Sequence, residues 1–291
     1  MKPSVLFFLI AAASLCHAAP FTATVIPTAD TFAREAEPAN NYGLAGSLAV
    51  SGRDAYSYTL PTQQMGRFDS FLCFPAAALV QALDTNFGSH YWVVTKVTLN
   101  LTEVTQPNNP IFNLGPGTFE VIWIANDSWL EGTGTPNAPT ADGLRFQDVA
   151  AVIDPLTDKS LGIFNNVGGG TGTPAVTCSL QLPSTFVADL RAGGEITLHL
   201  APANEDIGFT FNSRNISGGR PKPSLEVTAN LIPGDANLDC SVNILDLIFI
   251  RQRLNQDVST ADNRQADVNA DGRINILDLI AVRNLLNTKC Q

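Results

Sequence analysis

Asp235-Ala-Asn237-Leu-Asp239-Cys-Ser-Val-Asn243-Ile-Leu-Asp246-Leu-Ile returns 32 residues later as Asp267-Val-Asn269-Ala-Asp271-Gly-Arg-Ile-Asn275-Ile-Leu-Asp278-Leu-Ile. Between 235–256 and 267–288, 12 of 22 aligned positions are identical, so the two stretches repeat one unit. Oxygen side chains stand at positions 1, 3, 5, 9 and 12 of each copy, and a main-chain carbonyl is available at position 7. That spacing wraps a hard cation in six or more oxygens. The first set is Asp235, Asn237, Asp239, the Ser241 carbonyl, Asn243 and Asp246. The second is Asp267, Asn269, Asp271, the Arg273 carbonyl, Asn275 and Asp278. Three carboxylates per loop leave a net −1 around a +2 ion, which favours Ca²⁺, whereas Mg²⁺ prefers a tighter octahedron and keeps its waters. Each loop runs into apolar residues at helical spacing: Ile244, Leu247, Ile248 and Leu254, then Ile276, Leu279, Ile280, Leu285 and Leu286. A single such loop could be an Asx-rich turn. Two in register, each feeding a helix, argue for two Ca²⁺ sites.

The loops depart from an EF-hand, because position 12 is Asp and Pro233-Gly234 stands where an entering helix would lie. Over about 233–290 the pattern resembles the type I dockerin family. The resemblance implies a small all-α module of two loop-helix motifs that folds around two Ca²⁺ and docks onto a cohesin domain of a scaffoldin or cell-surface protein. It places partner contacts at Ile244, Leu245, Arg251, Gln252 and Gln256, and at Ile276, Leu277, Arg283, Asn284 and Thr288. Ile-Leu and Arg recur in both copies, so a near-symmetric face could bind in two orientations related by a half-turn. Ile244 and Ile276 also admit a placement in the core. Position 6 is Gly272 in the second loop but Cys240 in the first, where a side chain at φ > 0 costs roughly 1 kcal/mol. Dockerin termini come close together, so a Cys240–Cys290 bond could clasp the module and offset that strain.

At the other end, Lys2 and the apolar run Val5–Ala13, followed by Cys16-His17-Ala18, read as a secretory signal over 1–18. The run is too short to span a bilayer, and no other segment is long and apolar enough. The expectation is a secreted protein, extracellular or attached to a cell surface. Four cysteines then remain, and an even number in an exported chain suggests two disulfides. Domain membership favours Cys73–Cys178 and Cys240–Cys290. The 291 residues carry 17 Lys+Arg against 27 Asp+Glu, a net charge of −10 that argues against a nucleic-acid partner.

Residues 19–230 alternate short apolar runs with Gly/Pro/Asn/Thr-rich connections. Strands are expected at 22–26, 47–51, 71–74, 93–102, 117–125, 176–182, 195–201, 209–212 and 224–229, with short helices possible at 146–154 and 184–191. The fold class is mainly β: an antiparallel, jelly-roll-like β-sandwich followed by the dockerin-like domain at 233–291. Thr28-Ala29-Asp30-Thr31-Phe32, Asn40-Asn41-Tyr42-Gly43, Arg67-Phe68-Asp69, Trp129-Leu130-Glu131 and Asn212-Ser213-Arg214 together resemble the DNRLRE-type modules grouped with an alginate-binding carbohydrate-module family. That resemblance implies a carbohydrate-binding sandwich. The Gly/Thr/Pro-rich insertion at 132–143 departs from it.

A glycosidase needs two carboxylates about a scissile bond; acidic residues are plentiful in 20–230, but none sits in a recognisable motif. Ingredients for a lyase are His90-Tyr91, His199, Arg67 and Arg214. No HExxH, CxxC, nucleophile elbow or phosphate loop occurs. Sugar binding calls for aromatic faces edged by polar groups, for which Tyr56, Tyr58, Tyr91 and Trp92 are the candidates, while Trp123 and Trp129 read as packing residues. The domain's 10 basic residues against 19 acidic fit neutral glycans, or a local basic patch at Arg214, Arg220 and Lys222, better than an anionic chain. The expected function is a secreted, non-catalytic carbohydrate-binding protein that a calcium-dependent dockerin attaches to a cohesin partner in polysaccharide degradation. The rivals are a dockerin-recruited glycoside hydrolase or polysaccharide lyase, and a structural or adhesive extracellular protein.

Overall fold

Val97-Thr98-Leu99-Asn100-Leu101 alternates as a half-buried strand should, and Val97, Leu99 and Leu101 are buried. The computed structural model describes residues 20–56, 62–88, 92–104, 116–167, 175–239 and 241–288. Contacts divide these into two compact units, Phe21–Ala229 and the residues from Asn230 on.

The first unit contains β1 (Phe21–Val25), β2 (Ala29–Arg34), β3 (Ser47–Ser51), β4 (Phe68–Pro75), β5 (Val93–Thr102), β6 (Gly117–Ile124), β7 (Lys159–Asn166), β8 (Ala175–Leu180), β9 (Glu195–Pro202), β10 (Gly208–Asn212) and β11 (Ser224–Asn230). One sheet has the order β1-β11-β5-β8. The other runs β10-β3-β4-β9-β6-β7, with β2 also paired to β4. The main core lies between them, with Leu72, Phe119 and Leu198 from one sheet meeting Val97, Leu99 and Val227 from the other. The fold is therefore mainly β and antiparallel, in keeping with a sandwich. β2 and β7 are additions to the expected strands. So is helix α1 (Ala76–Phe87), which buries Ala76, Leu79 and Leu83 along one stripe after Pro75 and ends at Gly88 with φ 94°. A 3₁₀ turn at Phe146–Asp148 leads into α2 (Val149–Val152), and α3 spans Ser184–Ala192.

The expected Cys73–Cys178 disulfide is absent: both thiols are free and buried. Side chains of β4 alternate, so Leu72 and Phe74 enter the main core while Phe71 and Cys73 enter a second cluster with Trp129 and Leu144. Cys178 belongs to the main core, on the other side of that strand. The Cys73 thiol instead donates to Glu195 Oε2 at 3.1 Å. Burial, with Glu195 adding to it, pushes the Cys73 thiol up to about 12, and burial alone does the same to Cys178. Both are inert at neutral pH. Cys240 and Cys290 lie outside the described residues.

The second unit contains α4 (Ile244–Arg251), α5 (Ala261–Ala266) and α6 (Ile276–Leu285). Its core pairs positions 32 apart, namely Val242 with Ile274, Ile250 with Val282 and Ala236 with Val268. The backbone repeats with the same period. Leu238 and Ala270 have φ of 59° and 56°, and Asn255 and Asn287, each just beyond a helix, have 60° and 73°. The copies also clasp reciprocally: Val242 exchanges main-chain hydrogen bonds with the end of the α6 segment (Val242 N to Thr288 O, Asn287 N to Val242 O, both 2.8 Å). Asn255, after α4, donates to Ile274 O at 2.9 Å.

Candidate functional site

Each helix of the repeat starts inside its loop, and the residues that start it are also the proposed ion ligands. Asn243 and Asn275 are N-caps, accepting from Leu245 N and Leu277 N at 2.7 Å. Three residues on, Asp246 and Asp278 close capping boxes onto Asn243 N (2.7 Å) and Asn275 N (2.8 Å) with one oxygen. Their other oxygens accept from Asn237 N and Asn269 N, both at 3.1 Å. Both carboxylates are fully buried. Asp235 and Asp267 accept from Asp239 N and Asp271 N at 3.0 Å, and Asp239 and Asp271 accept from Ser241 N (3.0 Å) and Arg273 N (2.9 Å). The sixth residue of the second loop, Gly272, has φ 82°.

These twelve residues fit a hard cation by the chemistry of their donors. Among the described residues, no three Asp, Glu, His or Cys side chains stand together as a metal-holding group, so the fit rests on the kind and spacing of the donors. An all-oxygen set with three carboxylates suits Ca²⁺. No Lys or Arg among the described residues pairs with Asp246 or Asp278. Burial pushes the Asp246 carboxyl above its usual range, the cost a bound cation would remove.

The second feature is an apolar face on α4 and α6. Ile244 and Ile276 lie on the surface, 63% and 62% exposed, rather than in the core. Leu245 and Leu277 flank them at 51% and 52%. Behind them Leu247, Ile248, Leu279 and Ile280, with Arg251 and Arg283 at the rim, line a groove of about 390 Å³. Gln252, Gln256 and Asn284 are exposed as well. Thr288 is half-buried, donating its hydroxyl to Leu285 O at 2.7 Å and accepting at its carbonyl oxygen from Val242 N.

Residues 233–287 match the dockerin type I domain. Type I dockerins bind calcium and engage cohesin partners, and the proteins that carry them are extracellular or attached to the cell surface. No curated protein matches the chain. The match leaves residues 21–229 uncovered. In the dockerin, Ile248 and Ile280, members of the apolar run at helical spacing, are exposed and extend the apolar face. The run Ile-Leu-Asp-Leu-Ile-Phe-Ile is apolar on two sides of its helix. Ile250 takes the core side, and the other side is left open. No helix of the described residues is long and apolar enough to cross a membrane.

In the β unit, Trp92 is fully buried, and this overturns its expected role as a sugar platform. Its Nε1–H donates to Asp84 Oδ1 at 2.7 Å, and the Arg191 guanidinium lies 4.8 Å from the ring centre. Tyr56 is 44% exposed, at a bridge to Gln64. Tyr58, His90 and Tyr91 lie outside the described residues. Trp123 and Trp129 are packing residues, with indole N–H groups on Asp189 and Thr197. His199 is sealed, stacked on Phe71 with centroids 4.7 Å apart and bonded through Nε2 to Asp69 at 2.9 Å. Burial raises the Asp69 carboxyl, but hydrogen bonds from His199 and Arg67 outweigh it and hold the group at about 2. Arg214 is committed to Glu131 in an ion pair, and its main-chain N–H donates to Asp30 at 2.6 Å. It is therefore not free to form a basic patch with Arg220 and Lys222. Asp30 N donates to Glu131, and the buried Asn41 amide bonds the main chain at Glu131, Leu144, Gly43 and Gly134. Short motifs far apart in the chain thus meet in one polar network that ties loops together.

Burial pushes the Asp30 carboxyl up to about 7, with Glu131 adding to the effect and Arg214 and Lys222 opposing it. In the unfolded chain the same group titrates near ~3.9. The folded state therefore binds this proton more tightly, and its stabilising effect declines as pH rises from about 4 to about 7. Asp30→Asn should remove that decline, on the order of 2–4 kcal/mol. Urea unfolding followed by tryptophan emission checks it, because all three tryptophans lie in this unit. An unchanged pH slope in the variant would assign the effect to another group.

Proposed function

We propose that the chain is a secreted, non-catalytic carbohydrate-binding protein whose two-Ca²⁺ dockerin attaches it to a cohesin domain of a scaffoldin or cell-surface protein engaged in polysaccharide degradation. The observation that carries the attachment is the doubled apolar face, in which the same Ile-Leu pair and Arg emerge from each of two all-oxygen loops. An ion in each loop would fix the N-cap and third residue of the helix that presents each half of the face. The dockerin's own residues do the rest: Asn243 and Asn275 start the helices, and Asp246 and Asp278 tie helix to loop.

The carbohydrate-binding reading of the β unit draws on its sandwich architecture and on the structural engagement of three of its catalytic candidates. Arg67 and Arg214 are engaged in ion pairs, and His199 in a buried hydrogen bond to Asp69, all of which hold the fold. The test is a glycan array probed with the full chain, each hit re-incubated and its products sized. Binding without new reducing ends or unsaturated products is expected. Product formation would instead establish a hydrolase or lyase, and silence on the array would favour a structural or adhesive protein.

A further inference from the structure

A cavity of about 300 Å³ opens on the side of β3 and β10 that faces away from the main core. Ala49 and Thr210 are paired across these strands and form its floor, while Phe209 and Phe211 alternate into the core behind them. Phe32 and Tyr42, stacked with centroids 4.6 Å apart, supply an apolar wall with Phe68. Arg34 and Glu37 form an ion pair beside them, and the Tyr42 hydroxyl donates to the same Glu37 carboxylate. The last wall is Pro136-Asn137, from the Gly/Thr/Pro-rich insertion that departs from a compact module. That insertion is pinned against the site: Leu44 N donates to Gly134 O at 2.8 Å, Asn41 pairs with Thr140, and Asp142 accepts from Thr133 and Thr140. Its hydrogen bonds explain how an irregular loop can hold a wall in place.

The chemistry of the lining narrows the ligand. Arg34 and Glu37 cancel, so the cavity carries no net charge to attract an anion or a cation. Side by side they offer a donor next to an acceptor, which is the complement of two adjacent hydroxyl groups. Ser47 and Asn137 add polar side chains that have no hydrogen-bond partner among the described residues. The aromatic wall suits the C–H face of a ring. At about 300 Å³ the cavity sits at the small end of ligand sites, ~300–1,000 Å³, and has room for one ring rather than a chain laid across a sheet.

We propose that this cavity binds a single neutral pyranose, free or at the end of a glycan chain. The proposal rests on the carbohydrate-binding reading above and gives it a site. The test titrates the full chain, by calorimetry and ligand-observed NMR, with methyl glycosides of glucose, galactose, mannose and xylose. The matching oligosaccharides and methyl glucuronide are added as further probes. One neutral methyl glycoside should bind, its oligosaccharides little more tightly, and the glucuronide at least 10-fold more weakly. Ser47→Ala with Asn137→Ala should weaken binding at least 10-fold, and Ala49→Leu should abolish it by filling the floor. Tryptophan emission reports whether Ala49→Leu still folds; if it does not, the Ser47/Asn137 variant decides alone. Binding that ignores these substitutions, or that favours the glucuronide, would overturn the proposal. Oligosaccharide binding with no methyl glycoside bound would overturn the single-ring site and leave the carbohydrate reading standing, whereas no binding of any sugar would remove both.

Discussion

Asp278→Ala should unfold the second loop and α6 while leaving the β unit intact. The fully buried Asp278 carboxylate accepts main-chain N–H bonds from Asn269 and Asn275, so the substitution strands two donors as well as removing an ion ligand. Hydrogen bonds to a charged group contribute ~1.5–3 kcal/mol each, so the loss is about 3–6 kcal/mol. A unit of this size has roughly 3–9 kcal/mol in all. Asp246→Ala should act in the same way on the first loop, through Asn237 and Asn243. Far-UV circular dichroism should show the helical loss, with tryptophan emission unchanged. Chelation should reproduce it in the reduced wild-type protein, and a dockerin that stays fully folded in chelator would contradict the role given to the loops.

The second large effect separates binding from folding. Ile244→Asp combined with Ile276→Asp should abolish cohesin binding and leave calcium affinity and stability within about 0.5 kcal/mol of wild type, because both side chains are exposed. Two interface residues worth ~2 kcal/mol each amount to about a 1,000-fold loss of affinity. Either single substitution should cost less than about 10-fold, since the other copy offers the same Ile-Leu pair and Arg to a partner turned through half a revolution. Binding of single and double variants to an immobilised cohesin checks this. Singles as damaging as the double would mean that one copy alone makes the contact.

The dockerin was legible in the sequence because its information is local. Ligands, caps and apolar positions fall within 20 residues of one another, and the 32-residue repeat states them twice. What the pattern left open there, whether Ile244 and Ile276 face the core or the surface, reflects a helix apolar on two sides, where periodicity cannot say which side is covered. In the β unit the alternating strands such as Val97–Leu101 were readable. β7, whose sole fully buried apolar side chain is Leu161, was not, and α1 was passed over although Ala76, Leu79 and Leu83 mark a helical stripe. Trp92 could not be placed, because its partners Asp84 and Arg191 come from α1 and α3, the latter about 100 residues away. The cysteine count likewise says nothing of side-chain direction, and Cys73 and Cys178 point into different clusters. The cavity beside Phe32 was also out of reach, since it takes lining from four strands and an insertion that pattern alone marks as irregular.

Calcium stoichiometry tests the central claim most directly. Calorimetric titration of Ca²⁺ into the chelator-treated full chain should show two ions bound per molecule, with helical signal rising in step and Mg²⁺ unable to substitute at equal concentration. Absence of calcium binding, or binding without any change in the C-terminal unit, would contradict the assignment of Asp235–Asp246 and Asp267–Asp278 as the loops on which the docking face is built.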